Sequence, residues 1–155
     1  MNKQIKTKNI CLIGDICLSL TTSNIEIKNL YNESENFYWI GNLETPLIKS
    51  DLDSRAKAGP ALAGNPELLI ILKKYLSPLA LNLSNNHIMD FGEKGLINTI
   101  DSSNKFEIAT FGAGKNLEQA ETPLFVNLAD KKVAIIGCCE TQFGIANSNR
   151  AGTNP

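Results

Sequence analysis

One histidine, one tryptophan and two methionines occur in 155 residues, and aromatic residues make up only 6%. The four cysteines, Cys11, Cys17, Cys138 and Cys139, show no C-x-x-C spacing. That excludes a zinc knuckle and a disulfide framework and predicts reduced, mostly buried thiols. A basic excess is also missing: 15 Lys and Arg stand against 16 Asp and Glu, for a net charge of -1 and a pI near 5.8. Nucleic acid is therefore not an expected partner, and an anionic ligand would have to be held locally, by a metal or by backbone N–H groups. Long apolar runs are missing too. The longest unbroken one, Leu68 to Leu72, spans five residues, against roughly 18 for a membrane span. The lysine-rich start followed by apolar residues superficially resembles a secretory signal, but Asp15 interrupts it and no small-residue cleavage site follows. The expectation is a soluble, cytoplasmic chain, associated with a membrane only through partners.

With 43% apolar and 20% charged residues, the chain suits one globular domain over residues 1–155 with a core that needs no staples. Apolar runs separated by polar, helix-like segments give the element order. Asn9 to Gly14 reads as a first strand ending at Gly14-Asp15, and Phe37 to Leu43 as a second, running into Glu44 before Pro46. The polar stretch Thr21 to Phe37 reads as a short surface helix, and Lys49 to Gly64 as a loop whose Arg55 and Lys57 are candidates for anion binding. Asn65-Pro66-Glu67 is a helix start: an amide cap, a proline at the first position and an acid in the first turn. Leu68, Ile71, Leu72, Tyr75 and Leu76 then form one apolar stripe.

A third strand begins at Leu79 and stops at two adjacent amides and the lone histidine, Asn85-Asn86-His87, with Asp90 three positions on. A second helix over Glu93 to Lys105 and a fourth strand over Phe106 to Phe111 follow. Next come the Gly112-Ala113-Gly114 turn, whose N–H groups could face an anion, and a short helix at Asn116 to Ala120. A hairpin of Phe125 to Leu128 with Lys132 to Gly137 comes next, and the tail Gly144 to Pro155 reads as loop with no closing element. Alternating strands and helices argue for a mostly parallel sheet flanked by helices. In such a sheet the carboxyl ends of strands one to three lie along one edge, so Asp15, Glu44, Asn86, His87 and Asp90 converge there. Carboxylate and amide oxygens with one imidazole suit Mn, Fe, Zn or Mg, and two acids brought together repel unless a cation lies between them.

Gly14-Asp15, the Gly41-Asn42-Leu43-Glu44-Thr45-Pro46-Leu47 stretch, the long motif from Leu83 to Leu96 around Asn86-His87, and Gly112 to Ala120 together resemble the bacterial capsule-synthesis (CapA, poly-γ-glutamate capsule) family. That family is similar in fold to the calcineurin-like metallophosphoesterases, an α/β sandwich with metal ligands at strand ends. The resemblance implies that Asp15, Glu44 and Asn86 bind a divalent metal and that His87 is the adjacent acid/base. Asn42, Asn85, Asp90 and Arg55 become substrate-binding or supporting groups. It implies a role in capsule or poly-γ-glutamate synthesis acting on an anionic polymer, beside membrane-associated capsule machinery. The alternatives are metal-dependent hydrolysis of a phosphoester and an inactive truncated fragment. The chain departs from the phosphoesterase pattern in three places: Cys17 stands where a histidine follows the first aspartate, Asn42-Leu43-Glu44 replaces a Gly-Asp pair, and Asp90 lies three residues after His87. The two histidine motifs of the C-terminal half have no counterpart, so this chain is expected to be the N-terminal portion of such a protein.

Overall fold

A computed structural model describes residues 9–19, 36–48, 52–56, 59–141 and 144–155. The surface helix expected within Thr21 to Phe37 falls mostly outside them, and so does Lys57. Four strands, β1 (Asn9–Ile16), β2 (Phe37–Leu43), β3 (Leu79–Asn82) and β4 (Ala109–Phe111), form one sheet in the order β1-β2-β3-β4. Every neighbouring pair is parallel, as the alternation of strands and helices predicts. All four carboxyl ends therefore point to the same edge.

Parallel neighbours need crossovers, and a succession of crossovers of one hand stacks the helices on one face. A 3-10 turn at Pro66–Leu68 leads into α1 (Leu69–Tyr75), and α2 (Gly92–Lys105) joins β3 to β4. The Asn65 side chain accepts the Glu67 N–H at 3.0 Å, so the cap forms as its residues predict. Leu68, Leu72 and Leu76 from the α1 stripe, and Leu96 and Ile100 from α2, pack with Trp39, Leu43, Leu79, Leu81 and Ile88 into the main core. On the opposite face Ile40, Ala80 and Phe111 form a smaller cluster with Leu124 and Ile135. These two come from an antiparallel hairpin, β6 (Leu124–Leu128) and β7 (Lys131–Ile135).

Three expectations are corrected. The thiols are not mostly buried: Cys11 and Cys139 are half-buried and Cys17 and Cys138 exposed, because they lie on the edge strand β1 or just past strand ends. The fourth strand is three residues long, not six, because Phe106 caps α2 and Glu107 takes a left-handed φ of 57°, a turn that cannot pair in a parallel ladder. The tail is not simply loop: Gly152–Thr153 (β8) pairs antiparallel with Ala113–Gly114 (β5), and a four-residue helix, α3 (Leu117–Ala120), follows β5. Asn154 lengthens that closure. Its N–H donates to the Gly112 carbonyl at 2.9 Å, its side-chain amide to the Gly137 carbonyl at 2.8 Å, and its own carbonyl accepts from Cys139 N–H at 2.9 Å and Ser84 Oγ at 3.3 Å.

Candidate metal centre at the strand ends

The site begins with a local irregularity in β1. Its pairing with β2 shifts register between Leu12 and Asp15, and Gly14 sits there at a φ of +67°. A bulge of this kind re-aims the next side chain. Asp15 then stands opposite Asn42, and the Glu44 N–H donates to the Ile16 carbonyl at 3.0 Å, which holds Glu44 just past the end of β2. The two carboxylates meet on one amide: Asn42 Nδ2 lies 2.7 Å from Asp15 Oδ1 and 2.8 Å from Glu44 Oε2. Asn42 Oδ1 in turn accepts from Asn82 Nδ2 at 3.1 Å and Asn85 Nδ2 at 3.2 Å. These bonds fix which end of the Asn42 amide faces the acids.

The turn after β3 is built by Asn85, which is 7% exposed. Its Oδ1 accepts the N–H groups of His87 (3.0 Å) and Ile88 (2.9 Å), and its Nδ2 also reaches the Leu43 carbonyl at 2.8 Å. This turn brings the His87 ring to the edge, with Nε2 3.7 Å from Glu44 Oε1 and Nδ1 2.8 Å from Asp90 Oδ2. Asp90 is 2% exposed. The bonded network thus joins Asp15, Asn42, Glu44, Asn85, His87 and Asp90. Asn86 is exposed beside it, with its neighbour Asn85 turned inward. Arg55 is exposed; its N–H donates to the Asp90 carbonyl at 2.7 Å, and its guanidinium lies beside Gly92, at the start of α2.

Sequence reasoning passed over Asn82, Ser84 and Asn154, the polar residues beneath this edge. Asn82 Oδ1 accepts the Ser84 N–H at 3.2 Å, and it fills the space that a Cβ on Gly112 or Gly137 would need, at 2.6 and 2.1 Å. An amide at the last position of a buried strand was the available signal for Asn82; nothing local marks Asn154.

Electrostatics at the edge are acidic. Although Cys17 is exposed, desolvation by its neighbours raises its thiol pKa, and the charges of Glu44 and then Asp15 raise it further. Cys139 is raised as well, chiefly by burial, with Glu44 among the smaller causes. Among the described residues no lysine or arginine pairs with Asp15 or Glu44; the ring that faces Glu44 is that of His87. In kind, the donors fit a hard divalent cation: two carboxylates, an imidazole and an exposed amide. In number they fall short, since no group of three or more His, Cys, Asp or Glu that could hold a metal occurs among the described residues. No helix among these residues is long and apolar enough to cross a membrane.

A parallel α/β sheet with helices on one face and an acidic, imidazole-bearing edge at its strand ends places the chain in the metallophosphoesterase-like, calcineurin-like fold class. The chain belongs to the family of bacterial capsule synthesis proteins PGA_cap, which matches residues 25–155. It is 28% identical over 139 residues to the capsule biosynthesis protein CapA of Bacillus anthracis, an alignment covering 81% of this chain and 33% of that protein. The chain therefore spans about a third of the length of the curated relative it matches. The family resemblance read from Asn42-Leu43-Glu44 and the Asn86-His87 motif is confirmed.

Proposed function

We propose that this chain carries part of a divalent-metal site used in the synthesis of an anionic capsule polymer, poly-γ-glutamate or a related polyacid, with Asp15, Glu44, Asn86 and His87 as its share of the ligands and reacting groups. The observation that carries the reading is the meeting of Asp15 and Glu44 on the single amide of Asn42, with His87 facing Glu44 at 3.7 Å. Carboxylates gathered without a lysine or arginine partner among the described residues are stabilised by a cation. A bound divalent ion supplies Lewis acidity and lowers the pKa of water in contact with it. Asn42 holds the two carboxylates in place, while Asn85 sets the turn that carries His87. The imidazole is positioned to exchange a proton with an oxygen of the ligand. Since no group of three or more His, Cys, Asp or Glu that could hold a metal occurs among the described residues, the remaining ligands come, on this reading, from residues outside those described or from other segments of the complete protein. Arg55, exposed over the start of α2, is placed to meet a polyanion.

The same geometry serves hydrolysis of a phosphoester, the second reading, which the His87 placement favours. The experiment is calorimetric titration of the complete protein with Mn, Fe, Zn and Mg, followed by turnover of a generic phosphodiester with each metal. Binding that is lost in Asp15→Asn and Glu44→Gln supports the metal site. Turnover that drops at least about tenfold in His87→Asn, with metal content kept, supports hydrolysis. Binding without turnover leaves the polymer-synthesis role, and absence of binding removes the metal site altogether.

A further inference from the structure

We propose that Asp90 is the positioning residue of this site: its carboxylate fixes the tautomer of His87 and ties the ring to the loop that precedes α1. The proposal rests on reading the Asp15–Glu44–His87 edge as the functional site. Asp90 Oδ2 lies 2.8 Å from His87 Nδ1 and also accepts the Leu62 N–H at 2.8 Å. The Asp90 backbone carbonyl accepts the Arg55 N–H at 2.7 Å, so one residue clasps the loop at two points. At 2% exposure, this carboxylate is withdrawn from water.

An ionised carboxylate has only acceptors. The Nδ1 of His87 is therefore the donor in this pair, and the neutral ring carries its proton on Nδ1. The ring nitrogen that makes the fixed hydrogen bond decides what the other nitrogen presents. Here Nε2 is left as the acceptor turned toward Glu44 Oε1 at 3.7 Å. Two lone pairs facing across that gap repel in isolation and favour a cation or a donor proton between them, which is what a metal or a protonated ligand oxygen provides. His87 is further held through its N–H on Asn85 Oδ1 at 3.0 Å, and through its carbonyl, which accepts the Asp90 N–H at 2.8 Å. Because the same Oδ2 serves the ring and Leu62, a ligand that displaces the loop also loosens the ring.

The single histidine makes the test clean, since one pair of imidazole nitrogen signals reports it. The chain labelled with 15N histidine is observed by NMR, without metal, at about pH 9, above the ordinary titration range of an imidazole. The expected result is a protonated Nδ1 and a bare Nε2. Because one oxygen serves both the ring and Leu62, the variant that removes it is Asp90→Ala: with no acceptor at Nδ1 the ring shifts to the Nε2–H form while the amide spectrum of the fold persists. A role limited to clasping the loop would leave the tautomer unmoved by this variant. A wild-type ring protonated on Nε2, or on both nitrogens, overturns the proposal, and so does an Asp90→Ala ring with the wild-type tautomer. If Asp90→Ala does not fold, the wild-type spectrum alone decides. Adding Mn2+ is a separate arm: selective broadening of Nε2 supports the metal reading, whereas an Nδ1–H ring with no broadening counts against the metal and leaves the role of Asp90 standing.

Discussion

Asp15 and Glu44 come from adjacent parallel strands and share a single nitrogen: each accepts one N–H of the Asn42 side chain, at 2.7 and 2.8 Å. The amide thereby does part of what a cation would do, offering positive hydrogens to two negative groups. In Asn42→Ala both hydrogen bonds vanish and the carboxylates face each other. Stability is expected to fall by about 1–3 kcal/mol, read by urea denaturation, and a divalent ion should restore more stability to the variant than to the wild type. An unchanged midpoint would show that the shared amide is incidental.

Cys17 reports on the same charges. Its thiol pKa is raised first by desolvation and then by Glu44 and Asp15, so at about pH 8 the reactive thiolate is scarcer than in a free cysteine. Glu44→Gln removes one of the causes and lowers the pKa toward its ordinary value. Alkylation of the Cys17 peptide by iodoacetamide, followed by mass spectrometry, should therefore run several-fold faster in Glu44→Gln. A divalent ion bound at the edge should accelerate it in the wild type in the same direction.

Thr99 supplies a control remote from the acidic edge. It is fully buried, its Oγ1 accepts the Leu47 N–H at 2.8 Å and donates to the Gly95 carbonyl at 2.8 Å. Thr99→Val keeps the volume but strands the Leu47 N–H, at a cost of about 1–3 kcal/mol. The thermal midpoint should drop while the imidazole signals of His87 stay where they are; a shift in those signals would mean that α2 and the site are coupled more tightly than the bonds between them indicate.

Gly137→Ala tests the floor of the site. An added Cβ would lie 2.1 Å from Asn82 Oδ1 and 3.1 Å from the Gly112 Cα, so either Asn82 or the β7 end must move. Circular dichroism should show a destabilised fold, and a well-folded variant should have lost the Asn82 to Asn42 bond and, with it, one of the two bonds that hold the Asn42 amide between the carboxylates.

The sheet and its acidic edge are legible in the sequence because each of the first three strands is an apolar run cut off by polar groups, and period and punctuation are local signals. Which of two neighbouring amides turns inward is not local. Asn85 is drawn in by the Leu43 carbonyl and by Asn42, 42 and 43 residues away in sequence, and Asn86 is left exposed. The pairing of Asp90 with His87 had a readable cue, a spacing of three across a turn, yet its burial depends on the loop at Leu62. The β5 and β8 pair escaped notice because a two-residue strand in an Asn/Gly-rich tail has no periodicity, and its partner is set by the rest of the fold.

Asn154 lies one residue before Pro155, yet it is bonded to Gly112, Gly137, Cys139 and Ser84. From Ser84 the chain of contacts continues through Asn82 to Asn42. These bonds offer a load applied at Pro155 a direct path to the ends of β3 and β7. The carboxylate pair would then register tension on the chain, and an optical-trap pull from Pro155 should show an early rupture, weakened in Asn154→Ala, before the sheet unfolds.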